Sequence, residues 1–354
     1  MSETNQQEQQ LPPMQYVRFG NTGLKVSRIC LGCMSYGSSK WFNWVLDEEE
    51  SLNMIGKAYD AGINFFDTAN LYSNGESERV LGKAIKKFNM PRGRIVVATK
   101  FALAVHPNID SFAPQPHGDS NFVNQFGGSR KHIFDAVDAS LKRLDLDYID
   151  LYQIHRMDPQ TPWEETMGAL NDLVKSGKVR YIGASSMPAW EFQKANNIAE
   201  KNGWVKFVSM QNLYNLIYRE EEREMIPYCL DQGIAGITWS PLSGGYLTGK
   251  NRKTARSEMW TYMMKSIIPV REDRDNEVIL DKVIEIAENR KATAAQVALA
   301  WLFTKKYTTS PILGINKEAH LYDLLQALEL KLTEEEIKSL DDLYVPRSVM
   351  PMTS

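Results

Sequence analysis

Four side chains that could perform chemistry together follow short apolar runs of the sequence. Asp67, Lys100 and His155 each stand at or near the end of such a run, and Tyr72 follows the first run by one short loop. Runs rich in β-branched and aromatic residues are typical of buried parallel strands, whose carboxyl ends meet at one edge of a sheet or one mouth of a barrel. A phenol, an ammonium, a carboxylate and an imidazole gathered there would form a proton donor with a tunable pKa, as carbonyl reduction requires.

The order of these residues also indicates how the donor would be tuned. Asp67 at the end of a buried strand needs a cationic partner, because an isolated carboxylate is strongly penalised at low dielectric. Lys100, near the end of the next predicted strand, could supply that cation and lower the pKa of Tyr72 from its free value of about 10 by stabilising the phenolate. Each residue alone more often forms a plain ion pair or a packing contact, but the combination favours a functional site.

The elements that must position these residues alternate along the chain. Helical apolar spacing lies between most of the strand-like runs, for example at 49–61, 77–88, 133–144, 163–175 and 294–303, with Asp47 and Thr161 as N-cap candidates. The strand-like runs are 26–32, 64–69, 95–100, 148–155, 179–185, 207–214, 236–241 and 310–315. Eight strands alternating with helices predict an α/β fold of the (β/α)8 TIM-barrel type.

A doubly wound sheet is the alternative architecture. Its dinucleotide signature GxGxxG should directly follow the first strand, where this chain has LGCMSYG at 31–37. We therefore expect a polar, disordered tail over residues 1–14 and a single barrel domain over 15–354. Three segments are too long for plain connections, at 101–130, at 242–275 and after 332, and long loops at the catalytic face usually serve binding.

Composition limits the classes of partner. The net charge of -3 and pI of about 6.0 give no attraction to nucleic acid or anionic membranes. No apolar run is long enough to span a membrane, and the first residues lack the features of a signal peptide, so a cytoplasmic location is expected. Cys30 and Cys33 form a CxxC that ends a strand and has no second CxxC, and the histidines show no paired spacing. Neither a redox disulfide nor a metal site is expected.

Several of these motifs together resemble the aldo-keto reductases. The resemblance runs from about 17 to 343 and rests on FDTA at 66–69 followed by Tyr72, on Lys100, on IDLYQIH at 149–155, on NLYN at 212–215 and on WSPL at 239–242. It is strongest to the branch that holds fungal aryl-alcohol dehydrogenases and potassium-channel β subunits. The resemblance implies that Tyr72 is a general acid, that Lys100 and Asp67 tune it, and that His155 orients the carbonyl.

A cofactor is required because none of the twenty side chains donates hydride, so a reductase must bind a nicotinamide or a flavin. The resemblance implies NADPH/NADP+, with Trp239 stacking on the nicotinamide and Ser185 and Gln211 holding its carboxamide. Ser35 and Tyr36 match a cofactor-facing pair after the first strand. The chain departs from the family at Ser186, where Asn is frequent.

The phosphates of that cofactor are expected at two loops. GGYLTGK at 244–250 falls one residue short of a Walker A loop, since Asn251 stands where a Ser or Thr would bind Mg²⁺, so nucleotide hydrolysis is not expected. The resemblance implies that this loop clasps the phosphates, with Lys250 and Arg256 as the cations that favour NADP over NAD. The remaining contacts it implies are Asp67, Ser240, Pro241, Leu242, Gly244, Gly314, Asn316, His320 and Asp323.

Two functions compete on these grounds. One is NADPH-dependent reduction of aldehydes or ketones, and the other is a cofactor-binding regulatory subunit like the channel β subunits, which lack a His at position 155. His155 favours turnover. Aromatic residues in the loops predict a small-molecule carbonyl substrate of aromatic or bulky apolar type, and the oligomeric state stays open, compatible with a monomer. These aromatic residues are Tyr36, Trp41, Phe42, Trp44, Phe101, Phe112, Phe122 and Phe126.

Overall fold

The computed structural model of the chain describes residues 11–111, 120–250, 258 and 274–350. It begins with an antiparallel hairpin of β1 (Tyr16–Arg18) and β2 (Lys25–Ser27), in which Tyr16 pairs with Ser27. Phe19 in the hairpin turn is fully buried and packs edge-on against Phe65, with ring centroids 5.8 Å apart. The hairpin therefore closes the amino end of the barrel interior, and the sequence analysis merged β2 with the first barrel strand.

Eight parallel strands form one sheet in which neighbours in sequence are neighbours in space. The first and last strands in the order of the sheet contain residues 312–313 and 235–239. A parallel bridge joins Gly236 to Thr308, just before residue 312, so the sheet is a nearly closed barrel. This confirms the predicted (β/α)8 fold, and each of the eight predicted runs overlaps one barrel strand. The barrel strands are β3 (Cys30–Gly32), β4 (Phe65–Asp67), β5 (Val96–Phe101), β6 (Ile149–Ile154), β7 (Val179–Ser185), β8 (Ser209–Leu213), β9 (Ala235–Trp239) and β10 (Ile312–Leu313).

Ten helices of the described residues surround or follow the strands. They are α1 (Glu48–Asp60), α2 (Glu76–Lys87), α3 (Arg130–Leu144), α4 (Trp163–Lys175), α5 (Ala189–Lys201), α6 (Met225–Gln232), α7 (Arg274–Arg290), α8 (Ala294–Thr304), α9 (Glu318–Leu325) and α10 (Glu334–Asp341). None of them is both long and apolar enough to cross a membrane.

The two N-cap candidates named from the sequence do not cap their helices. Asp47 precedes α1, but its carboxylate accepts hydrogen bonds from the backbone and hydroxyl of Ser39, both at 2.8 Å. Pro162 is the residue before α4, and the Thr161 hydroxyl donates to Asp158 instead. Both side chains are engaged by a polar residue in the loop that precedes the helix, and this contact competes with capping.

Side chains of the strands alternate between two buried layers. Phe66, Val97 and Tyr152 face the helices in the main core, whereas Phe65, Val96 and Leu151 face the barrel interior with Phe19. Continuing this alternation by two residues brings Asp67, Ala98 and Gln153 to the interior, and two more residues bring Lys100 and His155 there. The period of two thus places the polar residues above an apolar floor at the carboxyl end.

Both ends of the described chain pack against the barrel. Leu11 and Met14, which the sequence analysis placed in the tail, are half-buried against the main core. At the other end Met350 is 4 % exposed and forms a buried cluster with Leu213 and Tyr218, against which Trp239 packs. Residues 1–10 of the predicted tail lie outside the described residues.

Candidate active site

Three of the four residues named first meet directly at the carboxyl end of the barrel. Asp67 ends β4, and Lys100 is the residue before the last of β5. Lys100 Nζ lies 2.5 Å from Asp67 Oδ2, 2.9 Å from the carbonyl oxygen of Thr68 and 3.2 Å from the hydroxyl of Tyr72. Lys100 is 0 % and Asp67 2 % exposed, so these contacts replace water around both charges.

A left-handed turn holds Tyr72 over Lys100. The two residues after Tyr72, Ser73 and Asn74, have φ angles of 48° and 50°. This conformation costs a non-glycine residue about 1 kcal/mol or more. The amide of Asn74 offsets that cost, because it donates to the carbonyl of Ser111 at 2.7 Å and accepts from the backbone N–H of His106 at 3.1 Å. The loop after β5 therefore fixes the turn that positions the phenol.

The charges of this group follow from burial and from its partners. Burial opposes the charge on Lys100, but Asp67 and Tyr72 outweigh it, so the pKa of the ammonium lies above its ordinary value. Burial also raises the pKa of Tyr72 more than Lys100 lowers it. The sequence-based expectation of a lowered phenol pKa is therefore wrong in its net direction, although Lys100 does act in the expected sense. The group consists of an ammonium, a carboxylate and a neutral phenol.

His155 directly follows β6 and lies beside Tyr72. The two rings meet edge to face with centroids 5.8 Å apart, and the backbone N–H of His155 donates to the carbonyl of Phe101 at 2.8 Å. Burial, followed by repulsion from Lys100 and Arg156, holds the pKa of the imidazole well below its ordinary value. The ring is neutral at physiological pH, so it can donate one hydrogen bond without supplying a charge.

Gln153 belongs to the site, although the sequence analysis gave it no role. Its Nε2 donates to Asp67 Oδ1 at 3.0 Å, and Gln211 Nε2 donates to the same oxygen at 3.0 Å and to Gln153 Oε1 at 3.2 Å. Asp67 is thus held by Lys100 on one oxygen and by two amides on the other. Gln153 lies two residues before His155, and that spacing was the signal that could have identified it.

Arg156 is a second residue that the sequence analysis did not single out. It follows His155 and is half-buried, and its guanidinium donates to the carbonyl oxygen of His155 at 2.7 Å. Burial lowers the pKa of Arg156, whereas Tyr72 raises it. A cation therefore lies within electrostatic range of both the phenol and the imidazole.

The residues expected around a nicotinamide lie at the ends of β7, β8 and β9. Trp239 is half-buried, and its indole N–H donates to the Ser186 hydroxyl at 3.2 Å. The Ser185 hydroxyl donates to the carbonyl of Gln211 at 2.9 Å. Gln211 Oε1 accepts no hydrogen bond from the described residues, and such a free acceptor suits the N–H groups of a carboxamide. These polar groups therefore fit a nicotinamide. Ser186, which stands where Asn is frequent in the family, accepts the hydrogen bond from the Trp239 indole.

Ser35 and Tyr36 follow β3 and are both buried. The hydroxyl of Tyr36 donates to the carbonyl of Ile315 at 2.5 Å, and its ring belongs to the main core. Tyr36 therefore supports the loop of residues 314–316 through this hydrogen bond. Its side chain has no exposed surface with which to contact a cofactor directly.

The loop expected to clasp the phosphates begins with tight backbone turns. Ser240, Ser243 and Gly244 have φ angles of 52°, 49° and 63°. Lys250 is exposed and forms an ion pair with Asp281 of α7. Arg256 lies outside the described residues. Lys250 would have to exchange this carboxylate for a phosphate.

The residues expected at the adenosine end of the cofactor include some with exposed surface and one that instead connects two helices. Gly314 and Asn316 are half-buried in the loop after β10, and His320 is exposed in the first turn of α9. Asp323 instead joins two helices, accepting from the Thr293 hydroxyl at 3.2 Å and from the Gln296 amide at 2.8 Å. Pro241 is buried and Leu242 packs against the main core.

The aromatic residues separate into a wall beside Tyr72 and residues elsewhere. The ring centroid of Trp41 lies 6.4 Å from that of Tyr72 and 4.4 Å from that of Phe42. Phe42 in turn stacks on Trp44, with ring centroids 5.7 Å apart. Phe101 instead stacks on Tyr152 in the main core. Phe122 contacts His106 and lines a separate cavity of about 440 Å³ with Asn74 and Arg79. Phe126 is half-buried, and Phe112 lies outside the described residues.

The cysteines of the CxxC are buried and free, and burial raises the pKa of both thiols. A protonated, enclosed thiol is a poor nucleophile, so Cys30 and Cys33 serve as packing residues.

Comparison with known proteins gives one consistent result. The model of the Aldo/keto reductase family matches residues 28–345. The chain is 49% identical to a versiconal hemiacetal acetate reductase of Aspergillus parasiticus, over 96% of this chain and 99% of that one. It is 49% identical to a protein of Schizosaccharomyces pombe named as an aryl-alcohol dehydrogenase, over 95% and 97% of the two chains. A protein of Saccharomyces cerevisiae with the same kind of name is 42% identical, over 94% and 97%. With the barrel and this match over most of its length, the chain belongs to the aldo/keto reductase family of oxidoreductases.

Proposed function

We propose that the protein reduces aldehydes or ketones to alcohols with NADPH, and that Tyr72 is the proton donor. The observation that carries the proposal is the buried contact of the Tyr72 hydroxyl with Lys100 Nζ at 3.2 Å, beside the neutral ring of His155. A neutral phenol that touches an ammonium can release a proton in the transition state, because the ammonium stabilises the phenolate that forms.

Each residue has a separate task in this mechanism. When bound, NADPH supplies the hydride that adds to the carbonyl carbon. The N–H of the neutral His155 imidazole donates to the carbonyl oxygen and orients it, and Tyr72 transfers its proton to the same oxygen. Lys100 holds the resulting phenolate, and Asp67 keeps Lys100 charged and in place. Gln153 and Gln211 fix the orientation of the Asp67 carboxylate through its second oxygen.

The binding of NADPH is supported by the residues at the ends of β7 to β9. Trp239 offers a half-buried ring for stacking, and Gln211 offers a free amide oxygen for the carboxamide. Lys250, together with Arg256, would bind the 2′-phosphate, since charge-assisted hydrogen bonds are stronger than neutral ones. In this proposal Asp323 and Tyr36 do not contact the cofactor. Asp323 holds its helix in place through Gln296, and Tyr36 holds the loop of residues 314–316 through Ile315.

The substrate we propose is an aromatic or bulky apolar aldehyde. The wall of Trp41, Phe42 and Trp44 beside Tyr72 is largely apolar, and an open-chain sugar would bury more hydroxyl groups against it than the single indole N–H of Trp41, free among the described residues, could partner. The names of relatives as aryl-alcohol dehydrogenases and as a hemiacetal acetate reductase agree with this class. The full set of Asp67, Tyr72, Lys100 and His155 argues for turnover over a purely regulatory role.

A carbonyl panel tests the proposal. We expect NADPH absorbance to fall with benzaldehyde-type substrates faster than with a short alkanal or an aldose. Absence of turnover with every carbonyl, despite tight NADPH binding, would favour the regulatory alternative. A preference for the aldose would remove the aromatic class but leave the reductase.

Cofactor choice has its own test. The double change Lys250→Ala and Arg256→Ala should weaken NADPH binding about 10-fold or more, and NADH binding by less than about 3-fold. Asp281→Asn is the matched control, since it releases Lys250 from its carboxylate partner and should not weaken NADPH. Equal losses for both cofactors in a fluorescence titration would contradict the assignment of these cations to the 2′-phosphate.

A further inference from the structure

We propose that Arg156 forms a binding subsite for a negatively charged group of the substrate, so that carbonyl compounds bearing a carboxylate are favoured over neutral compounds of the same shape. This inference rests on the proposed reductase activity and narrows its substrate class.

The guanidinium of Arg156 has no carboxylate partner in the described part of the chain. Its one hydrogen bond there runs to the carbonyl oxygen of His155 at 2.7 Å. Asp158, the nearest acidic residue in sequence, accepts from the backbone of Gly128 and from the Thr161 hydroxyl instead. A half-buried cation thus keeps most of its five N–H donors available.

Three other arginines that are largely buried each have a carboxylate partner or several backbone acceptors. Arg143 is paired with Glu78 at 2.5 Å, and Arg219 with Glu222 and Asp341, both at 2.9 Å. Arg28, which lacks a carboxylate, donates instead to three backbone carbonyls, those of Phe303, Thr308 and Thr309. Arg156 differs from these three arginines, because it has neither a carboxylate partner nor more than one backbone acceptor among the described residues.

The charges around Arg156 do not balance before a ligand binds. Lys100 and Arg156 are cations, Asp67 is the carboxylate that pairs with Lys100, and Tyr72 is a neutral phenol. One positive charge is left over in a largely water-excluded place, where an unpaired charge is costly. An anionic group would offset that cost, and a guanidinium binds a carboxylate with two parallel hydrogen bonds.

The position of Arg156 points to the substrate as the source of that anion. In the barrel order, β6 lies four strands from β10 and three from β9, so Arg156 is across the mouth from the loops expected to hold the phosphates. Beside Tyr72, on the aromatic wall, the indole N–H of Trp41 is buried and has no hydrogen-bond partner among the described residues. The indole N–H of Trp41 and the guanidinium of Arg156 thus both offer N–H donors near the phenol of Tyr72 that the described residues leave unused.

Matched substrates test the subsite without assuming its exact geometry. Ortho, meta and para formylbenzoate are compared with their methyl esters, in the unmodified protein and in Arg156→Met and Arg156→Lys. We expect at least one acid to exceed its ester about 10-fold in kcat/KM, and Arg156→Met to abolish this preference by lowering acid turnover at least about 5-fold more than ester turnover. Arg156→Lys should keep part of the preference. Arg180→Met, which removes an exposed charge from the start of β7, should keep all of it.

A binding measurement separates this inference from the proposed reaction. Benzoate should raise the melting temperature of the unmodified protein, and neither benzamide with that protein nor benzoate with Arg156→Met should do so. This result would support the subsite even if no carbonyl were reduced. The subsite is refuted if no acid exceeds its ester, or if Arg156→Met slows acids and esters equally. It is also refuted if the variant loses NADPH affinity to the same degree as acid turnover, since the anion would then belong to the cofactor.

Discussion

At the scale of single residues, the site depends on a charge that is buried but not isolated. Lys100 stays protonated although it is 0 % exposed, because Asp67 and the phenol of Tyr72 surround its ammonium. Burial keeps Tyr72 in the protonated form that can donate, and Lys100 stabilises the phenolate left after donation. Substrate binding thus meets a neutral acid whose conjugate base already has its counter-ion.

This arrangement gives the first prediction. Tyr72→Phe should lower kcat for carbonyl reduction by more than about 10-fold, which corresponds to at least about 1.4 kcal/mol of transition-state stabilisation. The Kd for NADPH should stay within about 3-fold, since the hydroxyl is expected to act on the substrate oxygen and not on the phosphates. Steady-state kinetics and a fluorescence titration measure the two quantities.

Tyr152→Phe is the matched control. Tyr152 is also fully buried, but its ring faces the helices and its hydroxyl has no hydrogen-bond partner in the described residues. Removing that hydroxyl should leave kcat unchanged. If Tyr72→Phe kept more than about a tenth of kcat, Tyr72 would not be the acid.

At the scale of elements, the alternation of the strands explains which site residues could be predicted. Asp67 and Lys100 can be predicted as site residues from the sequence, because charged residues are rare in buried strands. Gln153 is uncharged, so the same strand pattern indicates it less clearly. The merger of β2 with β3 has a local cause, since 26–32 forms one continuous run and the break at Arg28 depends on its bond to the carbonyl of Gln15. Tertiary contacts therefore determine what local pattern leaves open.

The turn after β8 carries the second prediction, which concerns stability against pH. Glu221 is buried next to Glu220 and accepts a hydrogen bond from the amide of Asn212 at 2.9 Å, with Cys229 and Tyr307 also nearby. Burial, followed by repulsion from Glu220, raises the pKa of Glu221 to about 8. Between the ordinary glutamate pKa of 4.5 and about 8, the folded protein holds a proton that the unfolded chain releases. Glu221 therefore makes the free energy of unfolding fall by up to about 1.4 kcal/mol per pH unit in that interval.

Glu221→Gln should remove this dependence, because an amide keeps an acceptor for Asn212 and does not titrate. Denaturant unfolding at several pH values should show the variant gaining on the unmodified protein as pH rises from 5 to 8, with little difference near pH 4.5. Glu224→Gln, an exposed neighbour, should leave the pH profile unchanged. Parallel profiles for Glu221→Gln and the unmodified protein would show that Glu221 is ionised when folded.

At the scale of the whole molecule, the segment from Tyr344 to Met350 returns to the mouth of the barrel. The Tyr344 hydroxyl donates to Glu220 at 2.7 Å, and the backbone N–H of Met350 donates to the Tyr218 hydroxyl at 3.0 Å. The sequence analysis identified the segment after 332 as too long for a connection, but it could not tell which strand the segment would meet. That information depends on contacts between residues more than a hundred positions apart. The partners of Lys250 and Asp323 are nearer in sequence, but they too lie on other elements of the fold.

The last prediction concerns this returning segment. Met350 forms a buried cluster with Leu213 and Tyr218, and Trp239, on which the nicotinamide is proposed to stack, packs against this cluster. Met350→Ala should remove that support, weaken NADPH binding about 3- to 10-fold and cost about 2 kcal/mol or more of stability, as truncation of a buried Met does. Val349→Ala shortens the neighbouring side chain, which is 55 % exposed, and should change both quantities little. Because a stability loss alone would leave Kd unchanged below the unfolding transition, a variant with lower stability but unaltered NADPH affinity would show that Met350 only closes the core and does not hold Trp239 in place.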